Sequence, residues 1–310
     1  MRVFLVDGTY ELFRHHYGMP ASEHSAENDV AATRGVLWSV LGLLEEGVTH
    51  IGVATDHVIE SFRNDRWPGY KSSAGMPEAL LAQFPLLEDA LAALGVVVFP
   101  MVELEADDAL AAAARVAAAD DRVDQVVVMT PDKDLAQVVS GARVVQVDRR
   151  AKTVTDEDGV IARYGVPPAS IPDWLALVGD SADGFPGLPG WGKVAASTVL
   201  ARYGHLEDIP VDGSRWDVRV RGQLRLAETL VEQLDLVLLF RDLATLRADA
   251  DVLDGVDDLH WTGPTPALEA MAKELRAWRL PERAHALADA RAAGAAGAAG
   301  EAGDHADGLR

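Results

Sequence analysis

Carboxylates recur in this sequence wherever a regular element is expected to begin or end. Glu105, Asp107 and Asp108 open the run ELEADDAL, and Asp132 and Asp134 lie in TPDKDLAQ. Asp7 closes FLVD, Asp56 closes VATD, and Asp180 and Asp183 stand three apart in VGDSADGFPGLPG. Carboxylates drawn together repel unless a cation sits between them. Hard divalent ions such as Mg²⁺ take oxygen ligands and keep several waters. Two such ions about 4 Å apart can activate water and stabilise the leaving oxygen in phosphodiester hydrolysis. Each carboxylate alone has a plainer explanation. Asp at a helix start caps or meets the helix dipole, worth about 1 kcal/mol, and Asp after a strand is a common turn former. The ordered set is what turn chemistry does not require.

The elements that must position these groups alternate. Val3–Val6, Ile51–Ala54, Val96–Phe99, Val126–Met129 and Val144–Val147 read as strands. Between them Asn28–Leu44, Pro85–Leu94, Ala106–Ala118 and Lys133–Val139 read as helices. This pattern predicts an α/β fold, a mostly parallel sheet with helices on both faces. Asp7, Asp56 and Asp132 then follow carboxyl ends of strands, the edge where open α/β sheets bind ligands. Beyond Thr155 the chain reads as helices with short turns, including Leu224–Leu239, with a Gly/Pro hairpin at Gly187–Gly192 and the last packed helix ending near Trp278. From Arg291 the sequence is Ala/Gly-rich and of low complexity.

The chain has 310 residues and a formal charge of −21, from 28 Lys and Arg against 49 Asp and Glu. That charge argues against binding polyanions by bulk attraction, so a nucleic-acid ligand requires cations and local basic patches. No run of about 20 apolar residues predicts a membrane span. Cysteine is absent, which excludes thiolate chemistry and fits a cytoplasmic location. FLVDGT followed by GDSAD resembles the haloacid-dehalogenase phosphatases. That chemistry needs a nucleophilic Asp two residues before Asp7, and Leu5 stands there.

The pieces FLVDGTYELFR, VATDHVIESFRNDRWPGYK, ELEADDAL, TPDKDLAQ and VGDSADGFPGLPGWG, in this order over residues 1–285, resemble the 5′-nuclease superfamily. That family includes the 5′–3′ exonuclease domain of bacterial DNA polymerase I, phage 5′-exonucleases and flap endonucleases. The resemblance implies a PIN-like catalytic α/β domain over 1–165 with a helical arch at about 62–84. It implies a helical, helix-hairpin-helix DNA-binding region over 166–285 with its hairpin at 187–192, while the Ala/Gly-rich composition predicts an unstructured tail over 286–310. It implies a metal-dependent 5′–3′ exonuclease or flap endonuclease with a two-metal mechanism, acting on DNA 5′ ends, flaps and nicked or gapped duplex, and on RNA–DNA hybrid during primer removal. The expected protein is a stand-alone monomer. A non-cleaving branched-DNA-binding protein and a PIN-type ribonuclease remain the alternatives.

On the same resemblance, Asp7, Asp56, Glu105, Asp107 and Asp108 form an inner cluster. Asp132, Asp134, Asp180 and Asp183 hold a second Mg²⁺ or Mn²⁺, partly through waters. Arg63 and Lys71 are the catalytic cations near the scissile phosphate, with a solvated surface cation as the plainer alternative for either, and Tyr70 either stacks on a base or is a half-buried loop aromatic. Arg14 either contacts phosphate or is structural, and Gly187, Gly190, Gly192 and Lys193 approach the DNA backbone, with K⁺ held at the hairpin, the alternative being a plain Gly/Pro turn between helices. Three features depart from the family pattern. Ser72–Phe84 lacks any Arg or Lys, Leu81 stands where Arg is common, and Val194 occupies a usual Lys position. They imply a weak hold on flaps. Arg215, Arg219, Arg221 and Arg225 form the densest later basic run, and its default reading is a solvated helix face.

Overall fold

The computed structural model describes residues 1–18 and 30–304, with side chains through 294. Six strands form one sheet: β1 (Arg2–Asp7), β2 (His50–Asp56), β3 (Val97–Met101), β4 (Gln125–Met129), β5 (Val144–Asp148) and β6 (Thr153–Thr155). Their order is β3-β2-β1-β4-β5-β6. Every pairing is parallel except β5 with β6. The order turns back between β1 and β4, the switch point at which open α/β sheets leave a crevice beyond their carboxyl ends.

Alternation along β1 explains how one strand serves two cores. Val3 and Leu5 face α6 (Ala106–Ala119), whereas Val6 faces α2 (Ala31–Glu45) and α5 (Gln83–Ala93). α1 (Gly8–Gly18) starts directly from β1. The expected start of α2 at Asn28 lies outside the described residues. α3 (Phe62–Arg66) and α4 (Glu78–Leu81) occupy the segment expected to form a helical arch.

A second, helical core gathers α7 (Glu157–Tyr164), α8 (Ile171–Val178), α9 (Lys193–Tyr203), α10 (Gln223–Glu232) and α11 (Leu234–Ala244). After it the chain returns to the sheet. Leu268 and Ala272 of α12 (Leu268–Glu274) and Leu280 and Ala284 of α13 (Leu280–Asp304) bury against the first core. The expected helical region through 285 is therefore not one body.

Four local expectations change. Lys133–Val139 is a tight 3₁₀ turn over Asp134–Val138, not an α-helix. Leu224–Leu239 breaks at Gln233, whose φ of −117° and ψ of 30° lie outside the helical region. Trp278 is 67% exposed and lies between α12 and α13. The stretch expected to lack structure from 286 continues α13 as far as Asp304, since Ala is the strongest helix former.

Candidate metal centre

The carboxyl ends of β1, β2 and β4 bring three chain-distant groups to one crevice. Asp7 ends β1; its Oδ1 accepts from Tyr10 N at 2.8 Å and its Oδ2 from Thr130 Oγ1 at 2.8 Å. Asp56 ends β2, where its Oδ1 accepts from Ala106 N at 2.7 Å at the start of α6. Thr9 Oγ1 accepts from Asp56 N at 2.9 Å. These bonds fix both carboxylates yet do not neutralise them. Burial pushes Asp7 up to about 7, and Asp56 and Asp132 add to the rise. Burial pushes Asp56 up to about 6, although Lys71 works against it. Asp107, in the first turn of α6, is raised well above the ordinary range by burial and then by Asp132 and Asp7.

A second group lies beside the first. Asp134, Asp180 and Asp183 each offer a carboxylate oxygen, and these oxygens lie within 4.8 Å of one another. All three residues are buried. Lys133 forms an ion pair with Asp180. Asp134 Oδ1 is buried with no hydrogen-bond partner, and burial followed by Asp132 raises its pKa well above the usual range. Asp132 faces both groups, since it also raises Asp7 and Asp107.

This donor set is all oxygen, dense in like charge, and includes an orphaned buried acceptor. Those properties fit hard divalent cations. Asp7, Asp56, Asp107, Asp132, Asp134, Asp180 and Asp183 are the residues with that character.

Glu105 and Asp108 differ. They form a reciprocal capping box at the start of α6, with Glu105 N donating to Asp108 Oδ2 at 2.9 Å. Arg63 Nη1 and Nη2 donate to the two Asp108 oxygens, each at 2.8 Å, and Arg63 Nε donates to Leu243 O at 2.8 Å. Arg247 N also donates to Asp108 Oδ1 at 2.8 Å. Asp108 is fully buried and Arg63 is 1% exposed. Burial raises the Asp108 pKa, but Arg63 outweighs it and holds the carboxyl below the usual range. The expected roles of Arg63 at the scissile phosphate and of Asp108 among the inner metal ligands are therefore corrected. Their charges and lone pairs are spent on each other and on the backbone around α11, so Arg63 fastens α3 to α6 and to the end of α11. Glu105 is intermediate. Ser61 Oγ donates to its Oε1 at 2.6 Å, and Lys71 Nζ stands 2.8 Å from its Oε2.

Lys71 bridges Glu105 and Asp183, 3.3 Å from Asp183 Oδ1, and stays 30% exposed. Its backbone N donates to Asp183 O at 3.0 Å. Trp67 Nε1 donates to Gly184 O at 3.0 Å. Gly184 has a φ of +84°, and a side chain there would overlap the Gly69 backbone. The foot of the 62–84 segment is thus sewn to the acidic loop. Tyr70 is 5% exposed, packs in the helical core, and points its hydroxyl at Glu105 Oε2, 3.3 Å away. Its expected place under a base is corrected: a buried ring offers no face for stacking.

The hairpin is held from behind. Gly187, with φ +71°, packs against the backbone of Val178 and Gly179, which leaves no room for a side chain. Leu188 N donates to Leu177 O at 2.9 Å. Gly187 therefore serves the turn, whereas Gly190, Gly192 and Lys193 are exposed around the start of α9. Arg14 Nη2 donates to Glu11 Oε2 at 2.5 Å, and Arg14 lines an open cleft with Tyr10, Phe13, Tyr17 and Arg150. Sequence reasoning passed over Lys133, Thr130 and Ser61. Lys133 and Thr130 lie inside or beside the TPDKDLAQ motif, and that adjacency was their only signal.

Known proteins resemble this chain in sequence and in fold. The family model for the 5′–3′ exonuclease N-terminal resolvase-like domain matches residues 2–165, and that for the 5′–3′ exonuclease C-terminal SAM fold matches residues 166–267. DNA polymerase I of Pseudomonas aeruginosa is 33% identical over 282 residues, covering 87% of this chain and 30% of that protein. DNA polymerase I of Mycobacterium leprae is 33% identical over 264 residues, covering 83% of this chain and 28% of the relative. The chain thus spans less than a third of the length of these curated relatives. Among solved structures, bacteriophage T5 5′-exonuclease with bound zinc superposes with a TM-score of 0.61 at 20% identity, covering 89% of this chain and 99% of that one. The catalytic core of Rad2 in complex with DNA substrate superposes with a TM-score of 0.60 at 15% identity, covering 92% of both chains. The fold is theirs: a mostly parallel PIN-like sheet followed by a helical SAM-like unit.

Proposed function

The chain belongs to the 5′–3′ exonuclease family, and from that membership and the crevice carboxylates we propose that it is a divalent-metal-dependent 5′ nuclease. It cleaves phosphodiester bonds at DNA 5′ ends and flaps. The observation that carries this reading is the oxygen-only cluster with Asp134 Oδ1 buried and unpartnered.

Asp7, Asp56 and Asp107 would hold one Mg²⁺ or Mn²⁺, and Asp134, Asp180 and Asp183 would hold another, with Asp132 within reach of both groups. Bound there, such ions supply a water of lowered pKa and neutralise charge on the reacting phosphate. The protein's own groups do the positioning. Thr130 and the Tyr10 amide fix the Asp7 rotamer, and the Ala106 amide fixes Asp56. Lys71, part exposed at the rim, is the cation placed to meet a phosphoryl oxygen. Arg63 orders the segment that carries Lys71. Gly190, Gly192 and Lys193 offer amides and one ammonium to duplex backbone, a contact that reads no sequence.

The test is a panel of labelled substrates with Mg²⁺ or Mn²⁺: free 5′ ends, 5′ flaps, nicks and RNA–DNA hybrid. Metal-dependent cuts at 5′ ends or at the branch are expected, and chelator should abolish them. Stable binding of a flap without product in either metal overturns the reading. Faster cutting of single-stranded RNA than of any DNA would transfer it to a ribonuclease.

A further inference from the structure

The amino edge of the sheet, at the far end of β2 from the carboxylates, carries another pair of metal-ligating side chains. His50 opens β2 and Asp56 closes it, so about 20 Å of strand separates the two ends. After the turn at Val256–Leu259 the returning chain meets this edge. His50 and His260 are antiparallel bridge partners, and Trp261 N donates to Thr49 O at 2.9 Å. The two imidazoles then stand with ring centroids 5.0 Å apart and planes tilted by 39°.

Three observations distinguish this pair from two histidines that merely touch. The first is spacing. A metal about 2.0–2.1 Å from a ring nitrogen lies about 3.2 Å from the ring centroid, and two such ligands at a tetrahedral angle have centroids about 5.2 Å apart. The observed separation is close to that. The second is orientation. His50 Nδ1 and Thr49 Oγ1 are 2.9 Å apart. With the hydroxyl accepting from Nδ1–H, Nε2 keeps its lone pair, the arrangement that orients metal-bound histidines. The third is charge state. Burial, and then His260, hold His50 below the ordinary imidazole range, so it is neutral, the form that binds metal. Asp257 also faces His50 and would offset part of a cation's charge, against Arg122 and the Met1 amino group. The approach is open: His260 is exposed and, with Thr49 and Thr262, lines a cleft of about 530 Å³.

We propose that His50 and His260 form a metal site for a borderline divalent ion, Zn²⁺ or Cu²⁺, whose shell is completed from the cleft by water or an outside ligand. Imidazole suits such ions, whereas the carboxylate crevice suits hard ones. An ion here ties β2 to the segment that leads back into α12 and α13. It reinforces a seam that Trp261 already makes, since its Nε1 donates to Leu94 O at 2.8 Å. The proposal is independent of the nuclease reading.

The test is a Cu²⁺ titration read by electron paramagnetic resonance, with millimolar Mg²⁺ present to occupy the carboxylates. A copper centre coupled to two ring nitrogens is expected, and Zn²⁺ should displace it. H260A should remove the two-nitrogen pattern and weaken binding by about tenfold or more. T49V should weaken binding by about tenfold while keeping both nitrogens. H285A, which removes an exposed imidazole elsewhere, should change neither. D132A/D134A should also change neither, which separates this site from the crevice. If H260A melts lower than wild type in chelator, H260Q takes its place. A two-nitrogen pattern that survives in the folded His260 variant overturns the site, as does the absence of nitrogen-coupled copper in the wild-type protein. Neither outcome touches the nuclease reading.

Discussion

Two sets of carboxylates meet at the start of α6, and they have opposite electrostatic fates. Asp108 has a guanidinium on both oxygens and two backbone amides, and its pKa falls. Asp7 and Asp134 are buried and Asp107 half-buried among other carboxylates, and their pKa values rise. All four were equal candidates as metal ligands on residue type and spacing. What separates them is the partner each finds across the fold. A buried acid whose two oxygens are both taken by one guanidinium is a fastening; buried acids crowded against other carboxylates are open to a cation.

The sharpest break of this comparison is on the side open to a cation. Replacing Asp132 and Asp134 together by Ala should cut metal-dependent cleavage by about 1,000-fold or more, since bound ions supply several kcal/mol to the barrier. The same variant should melt no lower than wild type in chelator, because it removes repulsion. Near-wild-type turnover would defeat the metal assignment. On the fastened side, Arg63→Ala strands Asp108 as an uncompensated buried charge and should cost about 3–5 kcal/mol in urea unfolding. A loss under 1 kcal/mol would show that the pair is not the fastening described.

The pH response should differ between the two sets. In the metal-free protein, Asp7 and Asp56 rise from an ordinary 3.8 to about 7 and about 6. The folded state then keeps protons that the unfolded state releases. Their contribution is full below about pH 4 and is lost as pH rises towards 7. Asp108 and Glu105 act in the opposite sense, losing their contribution as pH falls below the usual carboxylate range. The melting temperature in chelator should therefore fall between pH 5 and 7.5, and Mg²⁺ or Mn²⁺ should reverse that fall. A melting curve that climbs with pH in chelator would show that the crevice carboxylates are not proton-loaded. The smallest effect belongs to the link between the sets. Ser61 caps α3 and donates to Glu105, so Ser61→Ala should cost about 1 kcal/mol, with little loss of cleavage.

Much of the frame was legible because it is local. Short, mostly apolar runs ending in Asp announced β1 and β2, and alternation of strands with helices placed Asp7, Asp56 and Asp132 at the sheet's carboxyl edge. The split among the carboxylates was not legible. Arg63 and Asp108 are 45 positions apart, and nothing in their spacing says that one guanidinium will straddle one carboxylate. Tyr70 and Arg63 looked like ligand contacts because motif position does not reveal burial. The helix expected over Lys133–Val139 failed because a five-residue turn and a helix start share the same pattern of Leu and Ala. The return of α12 and α13 to the sheet depends on apolar faces whose partners lie far earlier in the chain.

The seam between Gly69–Lys71 and Asp183–Gly184 has a consequence for how the chain can vary. Surface loops ordinarily absorb insertions and deletions independently. Here the backbones of two loops touch at Gly184 and exchange bonds at Trp67 and Lys71. A residue added to either loop would displace Asp183 and the Lys71 ammonium together. The two lengths are therefore coupled, and a change in one is accommodated only with a matching change in the other.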